Sequence, residues 1–223
     1  MASYYAGAGD GRVYYESSDW DASHDSSVGD VYDTTSSSTI GICYSSAYII
    51  YRVFLPVDTS GIDDGATISS ANFYLYIYYK NDADNDGNDW LNLVGQTSQA
   101  SPTSLTQQDF DQCGSIDNPT EGATRIDIGD IGTSSYSIFQ LNSTGLSWIK
   151  KLVADPYTKL GIREGHDCID EPSPYDTNAS CFMSEDTNGS RDPYLDVTVA
   201  NYTAEDYKDA NNVICCRVYQ RNA

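Results

Sequence analysis

Residues 48–79 read YIIYRVFLPVDTSGIDDGATISSANFYLYIYY, and the two apolar runs in this stretch decide the fold. In residues 48–57 and again in 73–79, β-branched and aromatic side chains follow one another almost without interruption, the composition that suits a pleated surface. Each run predicts a central strand. Between them, Gly61-Ile62-Asp63-Asp64-Gly65-Ala66-Thr67 supplies glycines and aspartates that tolerate turn geometry, while Ile62 and Ile68 anchor the loop to a core.

Shorter runs on either side extend the pattern. Residues 12–16, 39–44, 91–95, 158–164, 180–184 and 193–199 read as strands, with a weak one near Val31 inside a long Ser- and Asp-rich connection. Residues 123–128 and 135–141 alternate and predict half-exposed strands. One helix interrupts the series: Asn142 or Ser143 caps it, Leu146, Ile149, Leu152 and Val153 fall at helical spacing, and Asp155-Pro156 ends it. Strands at this spacing predict an all-β fold, an antiparallel two-sheet jelly-roll β-sandwich with one short helix, over residues 1–200. The tail, 201–223, differs. Its apolar run contains Val213, Ile214, Val218 and Tyr219, and serves either as an extra edge strand of the same domain or as a strand that pairs with a neighbouring subunit.

Composition narrows the function. The chain has 223 residues, 39% of them hydrophobic, with 19 Tyr and 17 Gly, which suits short strands and polar turns. A net charge of −21 disfavours nucleic acid and anionic membrane surfaces as partners, because phosphate affinity comes from Lys and Arg. The same acidity favours divalent cations and ion-dependent packing. No stretch approaches the roughly 18 apolar residues of a membrane span, so membrane insertion is not expected. Met1-Ala2-Ser3-Tyr4-Tyr5 lacks a basic region followed by an apolar one, so no export signal is expected. Six cysteines, Cys43, Cys113, Cys168, Cys181, Cys215 and Cys216, point instead to disulfides and an oxidising destination. Release by lysis, as for virion proteins, or a signal peptide outside this numbering reconciles the two. The expected location is extracellular or on a virion surface.

Among candidate sites, Asp82-Ala83-Asp84-Asn85-Asp86-Gly87-Asn88-Asp89 is the most informative. Carboxylates at Asp82, Asp84, Asp86 and Asp89, with Gly87 allowing a sharp turn, suit a hard cation such as calcium. Leu93 stands where an EF-hand would place its bidentate Glu, so any ion borrows ligands from elsewhere. The alternative is a solvated acidic hairpin. Trp20 and Trp90 stand in polar loops beside Asp and Asn, suited to stacking on a sugar face or else to capping the ends of the core. Cys168 and Cys181 flank a loop that a disulfide would close, and Cys215 and Cys216, adjacent on a strand, point to opposite faces. Catalytic residues are few. His166-Asp167-Cys168 contains the residue types of a nucleophilic dyad, but sequence neighbours rarely meet with the required geometry, and no enzyme is expected. Arg52, inside an apolar strand, needs an acidic partner, with Asp58 and Glu185 the candidates.

Several of these segments carry a likeness. Residues 51–60, Gly65-Ala66-Thr67-Ile68-Ser69-Ser70-Ala71, Leu75-Tyr76, residues 141–149, Leu160-Gly161-Ile162-Arg163 and the closing Asp192-Pro193-Tyr194-Leu195-Asp196-Val197-Thr198 resemble the DNRLRE-type domain. That domain is a jelly-roll sandwich related to some carbohydrate-binding modules, found in secreted prokaryotic proteins and phage structural proteins. The literal DNRLRE string is absent, and the cysteines and the tail lie outside the pattern. The resemblance implies a non-catalytic structural or adhesive role, in a homo-oligomer or beside other surface subunits. The alternative is a carbohydrate-binding module that holds glycan through Trp20, Trp90 and calcium.

Overall fold

The computed structural model describes residues 1–95, 99–151, 154–200, 202–208 and 214–220. The two decisive runs form β5 (Tyr48–Asp58) and β6 (Ile68–Asp82). Successive side chains of a strand point to opposite faces. On β5 both faces are buried: Val53, Leu55 and Val57 enter the main core, whereas Ile50 and Phe54 enter a second, smaller one. One strand therefore divides two cores. β6 is different. Ala71, Phe73, Leu75 and Ile77 are buried, but the tyrosines between them form an aromatic ladder on the outer face, where Tyr74 stacks on Tyr194 with ring centroids 4.5 Å apart and Tyr76 meets Tyr136 edge-on at 5.3 Å. Tyrosine fits either face of a sheet, so an unbroken aromatic run does not reveal that only one face is covered.

The fold is antiparallel all-β and sandwich-like. A curled sheet runs in the order β1 (Ala2–Tyr5), β12 (Tyr194–Val199), β6, β11 (Thr177–Phe182), β4 (Ser37–Tyr44), β5, β10 (Tyr157–Glu164), β7 (Trp90–Gly95) and β8 (Ile126–Asp127). β2 (Gly11–Ser17) pairs with both β5 and β3 (Asp30–Tyr32), and β9 (Ser135–Gln140) pairs with β6. The expected strand over 123–128 shrinks to the two residues of β8.

The expected helix is also shorter than its apolar spacing suggests. It is α2 (Ser143–Trp148), capped by Asn142, whose Oδ1 accepts from the backbone N–H groups of Thr144 and Gly145. Ile149 already has extended backbone, and the Lys150 N–H donates to Thr158 Oγ1 at 2.9 Å instead of continuing the helix. Leu152 and Val153 lie outside the described residues. Two further short helices accompany it, α1 (Trp20–His24), capped by Asp19, and α3 (Gly165–Ile169), capped by Glu164. In the tail, β13 (Tyr202–Lys208) and β14 (Ile214–Gln220) pair along seven residues as a separate two-stranded sheet. Ile214, Val218 and Tyr219 thus lie on a hairpin strand, and Val213 lies outside the described residues. Among the described residues, no helix is long and apolar enough to cross a membrane.

Candidate functional site

Arg52, on the second-core face of β5, sits at the centre of a buried ionic cluster. Its partner is neither Asp58 nor Glu185 but Asp167 of α3: Nη2 donates to Oδ1 at 2.7 Å and Nε to Oδ2 at 3.1 Å. The remaining donors reach the carbonyls of His24 and Phe110, each at 3.0 Å. Arg163 of β10 takes the other side of the same carboxylate, with Nε donating to Oδ2 at 2.6 Å, and also ties down the carbonyls of Ser115 and Ile116. Burial alone would raise the Asp167 carboxyl, but the two guanidinium groups outweigh it and hold it well below the usual carboxylate range. This cluster clamps α1, α3 and residues 110–116 onto β5 and β10.

Glu164, the last residue of β10, begins the next layer. Its Oε2 accepts from the backbone N–H of His166 at 3.0 Å, and its Oε1 lies 2.8 Å from His166 Nδ1. An ionised carboxylate only accepts, so this contact assigns the hydrogen to Nδ1 and leaves Nε2 facing outward from the pair. Burial raises the Glu164 carboxyl to about 7 against the hydrogen bonds from His166. For His166 burial acts to lower the imidazole, but Glu164 more than offsets it and lifts the group to about 9.

The acidic loop after β6 meets this layer, and its four aspartates separate. Asn85, with φ 49°, and Gly87, with φ 95°, turn the chain through left-handed backbone. Asp84 and Asp86 then project toward α3, where Asp84 Oδ2 and Asp86 Oδ1 each lie 3.5 Å from His166 Nε2. Asp82, at the end of β6, and Asp89, just before β7, instead converge with Asp127 of β8. One atom from each of these three residues lies within 4.8 Å of the other two. Asp82 Oδ1 and Asp89 Oδ2 are buried with no hydrogen-bond partner among the described residues. Burial and the facing Asp89 push Asp82 up to about 6; burial also acts to raise Asp89, but the facing Asp82 carboxyl and backbone N–H groups such as that of Gly87 leave it lowered. The four aspartates expected to share one site therefore fall into two separate clusters. Strand alternation and the two left-handed residues send the ends and the tip of the loop to different neighbours.

Neither tryptophan is an open platform. Trp20 is 7% exposed, stacks on His24 and donates Nε1–H to Asp170 Oδ1 at 2.8 Å. Trp90 is 6% exposed and lies beneath the Arg125 guanidinium, 3.6 Å from the ring centroid. Trp20 packs into the second core and Trp90 is covered by Arg125, so neither ring offers the open face that sugar stacking needs.

The described cysteines, Cys43, Cys113, Cys168 and Cys181, are free thiols, so the expected Cys168–Cys181 bridge is not formed. Cys181 points into the main core from β11 and donates to the Ser38 carbonyl, whereas Cys168 belongs to α3. Burial pushes Cys43 up to about 11 and Cys113 up to about 12, and also raises Cys168 and Cys181, which keeps these thiols protonated. The side chains of Cys215 and Cys216 lie outside those described.

His24, Asp117 and Asp170 form a third group of possible ligands. Both ring nitrogens of His24 are engaged, Nδ1 by Asp25 Oδ1 at 2.7 Å and Nε2 by the Asp167 carbonyl at 2.9 Å, so the ring offers no open position. Sequence reading considered His166 only as a catalytic residue and did not reach Glu164 or Asp127. The one local signal is Glu164-Gly165 directly before His166, an acidic cap on a short helix.

No protein-family model matches the chain, and no curated protein matches it.

Proposed function

We propose that this chain is a non-catalytic structural subunit of an extracellular or virion-surface assembly, that it self-associates through its C-terminal hairpin, and that calcium stiffens its acidic end. The observation that carries the reading is the hairpin. β13 and β14 pair with each other and, among the described residues, with no strand of the sandwich. A two-stranded ribbon has unpaired N–H and C=O groups along both outer edges, and strand addition from another chain satisfies them. The inward commitment of the ionisable groups supports a structural role: Asp167 is consumed by two arginines and the described thiols are buried or half-buried. The likeness to DNRLRE-type domains favours the same surface setting.

Calcium belongs at Asp82, Asp89 and Asp127, an all-oxygen set in which buried carboxylate atoms lack partners. The decisive experiment is the solution mass of the full-length chain, with and without calcium and reductant, beside Val218→Pro. Val218 faces Ala204 in the hairpin register. Its N–H is either a rung of the hairpin or a donor on the outer edge, so proline removes one or the other. Oligomers that Val218→Pro converts to monomers support the reading. A wild-type monomer under every condition refutes it.

A further inference from the structure

The geometry points to a transition-metal site, separate from the calcium cluster, in which His166 Nε2, Asp84 Oδ2 and Asp86 Oδ1 hold a zinc ion. Three independent features converge on it. His166 is 1% exposed, and its Nε2 is a buried atom with no hydrogen-bond partner among the described residues. That nitrogen is aimed at two carboxylates, 3.5 Å from an oxygen of each. Such a separation is long for a hydrogen bond. It leaves room for an ion between them, since two ligand atoms each about 2.1 Å from a tetrahedral centre lie about 3.4 Å apart.

The second feature is support behind the ligands. Glu164 accepts from Nδ1, fixing both the tautomer and the plane of the imidazole, and Ser173 donates its hydroxyl to Asp84 Oδ2. A carboxylate behind a ligating histidine is the usual outer partner of protein-bound zinc, and it raises the basicity of the ring. Glu164 is fully buried, so its charge needs a cationic neighbour; the protonated imidazole is one, and a metal on the far side of the ring would take over that role when bound.

The third feature is the backbone that brings the parts together. Gly165 packs so closely on the acidic loop that a Cβ there would run into the Asn88 carbonyl and the Trp90 indole. The absence of a side chain lets α3 deliver His166 to the loop tip. The imidazole nitrogen selects a borderline ion over calcium or magnesium, which take oxygen ligands. Asp86 has 44% of its side chain exposed, so the fourth position opens to solvent and takes water.

The test uses chelator-treated full-length protein, titrated with zinc by calorimetry and with cobalt by visible absorption. One ion should bind with a tetrahedral cobalt spectrum. His166→Gln and Asp86→Asn should each weaken binding by more than the 10–100-fold that outer-shell changes typically cost. Asp127→Asn should leave it unchanged. Because Asp86 is half-exposed, Asp86→Asn keeps the test meaningful even if the buried His166→Gln variant folds poorly. Folded wild-type protein that binds no zinc overturns the proposal. So does zinc binding that survives Asp86→Asn, or that is lost in Asp127→Asn alone, which would assign the ion to the other cluster. Zinc binding and self-association are measured separately, so either can fail without the other.

Discussion

Asp167→Asn would leave Arg52 and Arg163 facing each other's charge inside the protein, with no anion between them. Breaking a buried ion pair from one side typically costs about 3–5 kcal/mol. Urea unfolding of Asp167→Asn should show a loss of that order, and a loss under about 1 kcal/mol would mean the cluster is not what clamps α3 to β5. Asp10 provides a second measurement at this scale. Its buried carboxyl accepts from the backbone N–H and the hydroxyl of Ser184, both at 2.9 Å, while Glu185 adds a like charge nearby. Burial, with Glu185 assisting, raises it to about 8. An acid whose folded-state value is raised binds its proton more tightly when folded. Its contribution is complete below about pH 4 and is lost as the pH rises through about 8. The stability difference between wild type and Asp10→Asn should therefore move against the wild type between pH 4 and pH 8, and a difference independent of pH would contradict this. None of these partners was legible in the sequence. Arg52 and Asp167 are 115 positions apart, and in a chain this rich in carboxylates a nearby Asp58 looks as good a candidate.

Elements differ in how plainly the sequence announces them. β5 and β6 carry enough consecutive β-branched and aromatic residues to show through any local noise, and β4 and β12 follow from the same signal. α1 and α3 are five residues each, too short to complete the repeating apolar stripe by which a helix is recognised. Their caps hold them, together with the Arg52 hydrogen bond to the His24 carbonyl and the Arg163 hydrogen bond to the Asp167 carbonyl. β1 was hidden for a related reason, since a four-residue edge strand beside a glycine-rich segment reads as turn. The position of α3 rests on Gly165. Gly165→Ala should cost about 1–3 kcal/mol by overpacking, as measured by chemical denaturation. It should also weaken zinc binding, although no ligand is changed. An alanine variant with wild-type zinc affinity would show that the loop and α3 adjust independently.

At the scale of the whole molecule, charge is the dominant fact. Thirty-three Asp and Glu face only 12 Lys and Arg, and two of those arginines, Arg52 and Arg163, are buried in pairing Asp167. Among the described residues five carboxylates, Asp10, Asp89, Asp109, Glu164 and Asp167, are buried as well, so the surface stays strongly acidic and self-repulsion opposes the compact state. Screening should relieve it. Because the Debye length falls from about 10 Å at 0.1 M salt to about 3 Å at 1 M, the melting temperature should climb with sodium chloride and then level off. Calcium adds a second contribution if it occupies Asp82, Asp89 and Asp127. An ion bound to the folded state alone stabilises it by about 2.7 kcal/mol when its concentration is a hundred times the dissociation constant. Melting curves in sodium chloride and calcium chloride at matched ionic strength separate the two effects. Calcium should give the higher melting temperature, and Asp127→Asn, at an exposed position, should erase that excess while keeping the sodium chloride response. Superimposable curves for the two salts would leave only screening, and the carboxylates at the base of the loop would then be held by shared protons instead of an ion.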